Sequence, residues 1–146
     1  MNLATEDPQQ YAVVFERDSV LAADDEIRSQ VNGLLSTLYP RSDLMERRRE
    51  QRYPFPYLVH LTPVDKNGVV HTDETVVVVG KHLSERGLGF YHRHPLPNRK
   101  MIVSIEVGSS SWLGFLIDLS WCRFTKQGWY ESGGRFLQVV NSPIEK

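Results

Sequence analysis

With a single cysteine, Cys122, among 146 residues, the chain forms no intramolecular disulfide and offers no Cys-x-x-Cys pair for zinc. It also lacks a surplus of positive charge. The formal net charge is -1, which excludes a protein that coats DNA or RNA electrostatically. No apolar run approaches the length of a membrane span. The first ten residues, MNLATEDPQQ, have neither the basic start nor the apolar stretch of a signal peptide, so a cytoplasmic location is expected. There is no internal repeat and no low-complexity tract. Lysine is scarce as well, with 5 Lys against 12 Arg. That bias favours the planar, multi-donor cation suited to phosphates and guanine edges.

What remains is one domain's worth of soluble sequence with a real core, 40% hydrophobic and 24% charged. Residues 1–23 read as an N-terminal extension, polar at first, with a short apolar piece at 11–15. Over residues 24–38, Ile27, Val31, Leu34 and Leu38 recur on one helical face. Asp24, Asp25 and Glu26 stand where negative charge favours a helix start, and Tyr39-Pro40 ends the pattern. This stripe suits packing on a barrel or on a second copy of the chain. The helix and its linker extend to residue 44.

Residues 45–141 carry the main domain. It starts in a charge-dense stretch, RSDLMERRREQR over 41–52, in which five of twelve residues are Arg. Pro54 and Pro56 then forbid a continuing helix. Six strand candidates follow, at residues 57–63, 75–79, 87–92, 101–107, 112–124 and 129–140. Asp65-Lys66-Asn67-Gly68 and Lys126-Gln127-Gly128 supply turns, a bulge is expected near Ser120, and Gly133-Gly134 marks a bend or bulge. Residues 142–146 form a tail. Short connections between successive strands predict a mainly β fold, a six-stranded antiparallel barrel with an N-terminal helix.

Two segments carry chemistry. Arg47-Arg48-Arg49-Glu50-Gln51-Arg52 puts four guanidinium groups in front of the first strand. Taken alone, such a run is a solvated linker. His82-Leu83-Ser84-Glu85-Arg86-Gly87 joins the second and third strand candidates, and alone it is a turn. The five histidines make a weak metal case, because His92 and His94 are followed by Pro95 and no ligand with supporting spacing joins them. They are expected to face solvent, and no metal site is assigned. Nucleophilic catalysis is also unsupported. Ser84 and His82 lack a third group to orient the imidazole, no Gly-x-Ser-x-Gly elbow is present, and Cys122 reads as a small packed or partly exposed residue.

In their order and separation the two segments resemble the PilZ family, whose pattern is Arg-Arg-x-x-x-Arg before the first barrel strand, then Asp/Asn-x-Ser-x-x-Gly after the second. Arg47, Arg48 and Arg52 match the first element; Ser84 and Gly87 match the second; Trp121-Cys122-Arg123 and Gly128-Trp129-Tyr130 resemble the family's last hairpin. The resemblance implies a PilZ-like (split) barrel that binds cyclic di-GMP without catalysing a reaction, needs no cofactor, and passes its signal to a protein partner. It implies that Arg48 and Arg52, supported by Arg47, hold the ligand from a loop able to fold over the barrel mouth. Arg forks suit its phosphates and guanine edges. Ser84 would add a short hydrogen-bonding group, and Gly87 a left-handed turn or a close backbone approach.

His82 departs from the family's Asp or Asn. A neutral imidazole offers a guanine edge one acceptor and a protonated one none. Weakened binding or an altered pose is therefore expected, with affinity falling as pH drops through the imidazole range if His82 accepts from the base. The competing reading is a divergent PilZ domain that has lost its nucleotide and binds a protein through its helix and exposed strand residues.

Overall fold

The computed structural model describes residues 20–39 and 51–144. Arg47, Arg48 and the apolar piece at 11–15 lie outside the described residues.

Helix α1 spans Val20–Leu38, starting a turn before the acidic cluster. Ala22 and Ala23, strong helix formers, extend it backwards, so Asp24 and Asp25 sit inside the helix rather than at its start. Its stripe of Ile27, Val31, Leu34 and Leu35 is buried and joins the core of the strands, with β7 as its main neighbour. The stripe is thus spent on the barrel and does not stand open to a second copy. Each fully buried aliphatic side chain of this kind stabilises the docked helix by about 1.5–3 kcal/mol.

The strands are β1 (Tyr53–Pro54), β2 (Leu58–Val64), β3 (Val76–Leu83), β4 (Gly87–His92), β5 (Lys100–Val107), β6 (Ser111–Phe124) and β7 (Tyr130–Val140). All pairings are antiparallel. Six strands in the order β3-β2-β5-β6-β7-β4 close on themselves through a β3–β4 pairing, and the short β1 adds to β3. Closure leaves those six strands without an open edge. The strand pleat sends Val59, Leu61, Val78, Leu88, Phe90, Met101, Val103, Phe115 and Ile117 inward, where they are all buried. A smaller cluster of Val64, Val70, Ile102 and Leu116 packs on the other side of the wall.

The predicted turns close as their residues require. Gly68 and Gly128 have φ of 83° and 88°, and Asp65 Oδ1 accepts from the amides of Asn67 and Val69 at 2.8 and 3.0 Å. The expected bulge is also present. Leu119 pairs with Gly134 and Trp121 with Gly133, leaving Ser120 as the extra residue. The paired glycines keep regular register with β4 and are not themselves the bulge.

Two expectations change. β3 runs on through Leu83 instead of ending near Val79. Lys81 and His82 look like a polar connection because the outer wall of a barrel meets water, while Leu83 still points inward and is fully buried. His92 does not face solvent. It is 4% exposed, the innermost face of β4 extended by one more residue. Its ring donates from Nδ1 to the His94 carbonyl and accepts at Nε2 from Ser132 Oγ, both at 2.7 Å. Burial pushes its pKa below the ordinary 6.5, which favours the neutral ring, with Nε2 accepting from the serine hydroxyl.

This has a consequence for stability. The unfolded chain takes up a proton on His92 near 6.5 and the folded chain resists it, so stability is complete above that pH and is lost as pH falls toward the folded pKa. Thermal melts at about pH 7.5 and about pH 5.5 are expected to show a lower Tm in acid, with the difference reduced in His92→Gln. An equal pH dependence in the variant would contradict this role.

Candidate functional site: a basic groove on the outer wall

Four of the six residues predicted to bind ligand come together. Arg52, His82, Ser84 and Gly87 line one pocket of about 440 Å³. Arg47 and Arg48 lie outside the described residues, six and five positions before β1 in the sequence. The pocket runs from the Ser84–Gly87 turn along the outer wall of the barrel. Leu83 and Leu88, next to His82 and Gly87 in sequence, point into the core, so the pleat turns His82 outward.

Each predicted residue has a local reason for its place. Arg52 directly precedes β1, which pairs with β3 so that Pro54 faces His82. Ser84 makes the turn into β4. Its amide donates to the Gly87 carbonyl at 3.0 Å, and its Oγ accepts from the amides of Arg86 and Gly87 at 3.1 and 3.2 Å. The hydroxyl hydrogen is left over to donate into the pocket. Gly87 is not left-handed. A Cβ there would lie 1.9 Å from the Gly134 carbonyl oxygen, so glycine is needed for the close approach of β4 to β7.

That contact sets a stability contrast. Gly87→Ala is expected to cost about 1–3 kcal/mol through overpacking against backbone that cannot swing away. Gly33→Ala, on the exposed side of α1 with nothing within 4 Å of the added carbon, is expected to stabilise by about 0.8–1 kcal/mol. Urea denaturation of both variants checks the pair; equal effects of the two would show that the β4–β7 approach is not tight.

Sequence reasoning missed Arg86, Arg135, Ser120 and Trp121, which also line the pocket. Trp121 has the sequence character of a barrel or interface residue and is 40% exposed. The Ser120 bulge re-aims it, and the glycine opposite it on β7 makes room. A Cβ on Gly133 would meet Trp121 Cζ2, Cε2 and Nε1 at 2.5, 2.7 and 2.8 Å. A glycine pair inside a strand was the available signal, since it marks where another group comes close.

Electrostatically the groove is positive, with three arginines and no carboxylate among its lining residues. Burial first, and the Arg52 charge second, push the His82 pKa below the ordinary 6.5. His82 is therefore neutral at neutral pH. In the neighbouring row of the wall the carboxylate is already paired: Glu131, 3% exposed, is bridged by Lys81 and by Arg123 Nη2 at 2.9 Å. Those pairs, Lys81 above all, hold its carboxyl below the ordinary 4.5. At the other end, α1 reaches the Ser84–Gly87 turn, where Arg28 Nε lies 3.3 Å from Glu85 Oε1 without hydrogen-bond alignment.

Other features carry less. His71, Asp73 and Glu74 bring ligand atoms within 4.8 Å of one another, but the two acids are exposed and His71 Nε2 is already bonded to Asp65 at 2.9 Å. Cys122 is exposed and is not packed in the core. Among the described residues no helix is long and apolar enough to cross a membrane.

No family model matches the sequence, and no curated protein does. Among solved structures, the chain is similar to the Bacillus subtilis inhibitor of motility (MotI/DgrA), with 9% identity and a TM-score of 0.45 over 64% of this chain and 44% of that one. It is also similar to K. pneumonia MrkH in its apo state, with 13% identity and a TM-score of 0.39 over 63% of this chain and 45% of that one. The chain thus spans less than half the length of either protein.

Proposed function

We propose that the chain is a PilZ-type receptor that binds cyclic di-GMP in the outer-wall groove and passes the signal on without catalysis. The observation that carries this reading is the convergence of both motif segments. Arg52, from the end of the arginine run, and His82, Ser84 and Gly87, from the strand-turn segment, line one pocket although about thirty residues separate them. A ligand with two phosphates and two guanine bases needs cations and hydrogen-bond donors next to flat surfaces, and the groove offers them. Arg52, with Arg47 and Arg48 a few positions before it in the sequence, supplies guanidinium forks. Ser84 donates its hydroxyl. Gly87 keeps the floor flat.

The interaction-module reading has one observation of its own. Leu58, Val77 and Val79 are 62, 53 and 43% exposed on adjacent strands of the outer wall. An apolar patch of this kind serves protein contact, and it is compatible with output from a receptor as well.

Thermal melting separates the two. A ligand that binds only the folded state raises Tm. Cyclic di-GMP is expected to raise it, and GTP and cyclic di-AMP at equal concentration are expected to do so less or not at all. No shift at a large excess of cyclic di-GMP would favour the interaction module.

A further inference from the structure

We propose that His82 and Trp121 form a two-ring stacking platform for a purine base, so that His82 serves through its ring face and not as a hydrogen-bond acceptor. This rests on the groove being a nucleotide site.

The geometry is specific. Gly89 of β4 and Gly133 of β7 are register partners. His82 of β3 pairs with Gly89, and Trp121 of β6 pairs with Gly133. Four adjacent strands therefore present, in one row, ring, glycine, glycine, ring. A Cβ on Gly89 would meet His82 Cε1, Nε2 and Nδ1 at 2.6, 2.9 and 3.1 Å. The added carbon on Gly133 meets three consecutive Trp121 ring atoms at 2.5–2.8 Å. An edge-on ring would bring one atom much nearer than its two neighbours. Near-equal distances mean that each ring lies with a face over its glycine. The opposite face of each ring is turned away from the sheet, and Trp121 remains 40% exposed.

Any side chain at either glycine would lift its ring. A sheet that only needed covering would be served by larger residues at both positions. Beside the rings stand Arg52, Arg86 and Arg135. A ligand that matches both parts has a wide π face and negative charge, which is the chemistry of a purine nucleotide. The family's carboxylate or amide at position 82 would read a base edge; a ring lying flat there offers a surface instead.

The test uses isothermal titration calorimetry with cyclic di-GMP on the full chain and on Trp121→Ala, Trp121→Phe, His82→Ala and His82→Phe. Each alanine variant is expected to weaken binding by about 5- to 150-fold, and each phenylalanine variant to keep most of the affinity. In parallel, a Trp112→Phe/Trp129→Phe chain keeps Trp121 as its one tryptophan, and its emission is expected to change on nucleotide binding. If Trp121→Ala does not fold, Trp121→Phe and this emission change still decide. Unchanged affinity in Trp121→Ala, or His82→Phe as weak as His82→Ala, would overturn the platform while leaving the receptor reading intact. Binding of GTP or cyclic di-AMP in place of cyclic di-GMP, with the Trp121 emission change, would uphold the platform and overturn the receptor reading. No binding of any of the three nucleotides and no emission change would overturn both.

Discussion

Arg52→Ala is expected to weaken cyclic di-GMP binding by roughly 10- to 150-fold, the equivalent of about 1.5–3 kcal/mol for a hydrogen bond to a charged group. Arg52 is exposed at the edge of the groove, so the variant should fold normally, with a stability change within about 0.5 kcal/mol. The effect is therefore separable from unfolding. A second signature accompanies it. Arg52 is one cause of the low His82 pKa, so the His82 titration followed by NMR should move upward in the variant. Calorimetry showing unchanged affinity would remove Arg52 from the site, and an unmoved His82 titration would show that the two side chains do not share the groove.

Phe115→Ala is expected to cost about 3–5 kcal/mol, the largest single stability effect in the barrel. Phe115 is fully buried and stacks on Phe136 with ring centroids 4.5 Å apart and planes 22° apart. The two rings come from paired strands β6 and β7 and lie in the same core as the helix residues Ile27 and Val31. Removing one ring opens a cavity beside Phe136 in the core that rigid strands cannot close. For a chain of this size Tm should fall on the order of 10 °C. A loss below about 1 kcal/mol in urea would mean that the interior relaxes around the gap, contrary to the closed-barrel packing described above.

Much of the fold was legible because barrel strands announce themselves by alternation. Met101, Val103 and Ile105 point inward from β5 and are buried, as the period of two requires. The helix stripe was legible for the same reason at the helical period. What misled was the outer wall. Lys81 and His82 look like loop residues because a strand facing water on one side carries polar residues there. His92 looks like a surface ligand because sequence does not reveal that Ser132, forty residues away, will satisfy it. The site was half legible. Ser84, Gly87 and Arg52 were found as a motif, whereas Trp121 and Arg135 reach the groove only through the pairing of β6 and β7 and the bulge at Ser120. Long-range register of that kind is a tertiary property, and no local pattern encodes it.

The most direct measurement is a titration of isotope-labelled protein with cyclic di-GMP, followed by backbone amide and indole NMR signals. The perturbed signals are expected to centre on Arg52, His82, Ser84, Gly87, Arg135 and the Trp121 indole, with the Val76–Val79 face unmoved. Perturbation centred on that apolar face, or no perturbation at saturating nucleotide, would contradict binding in the groove.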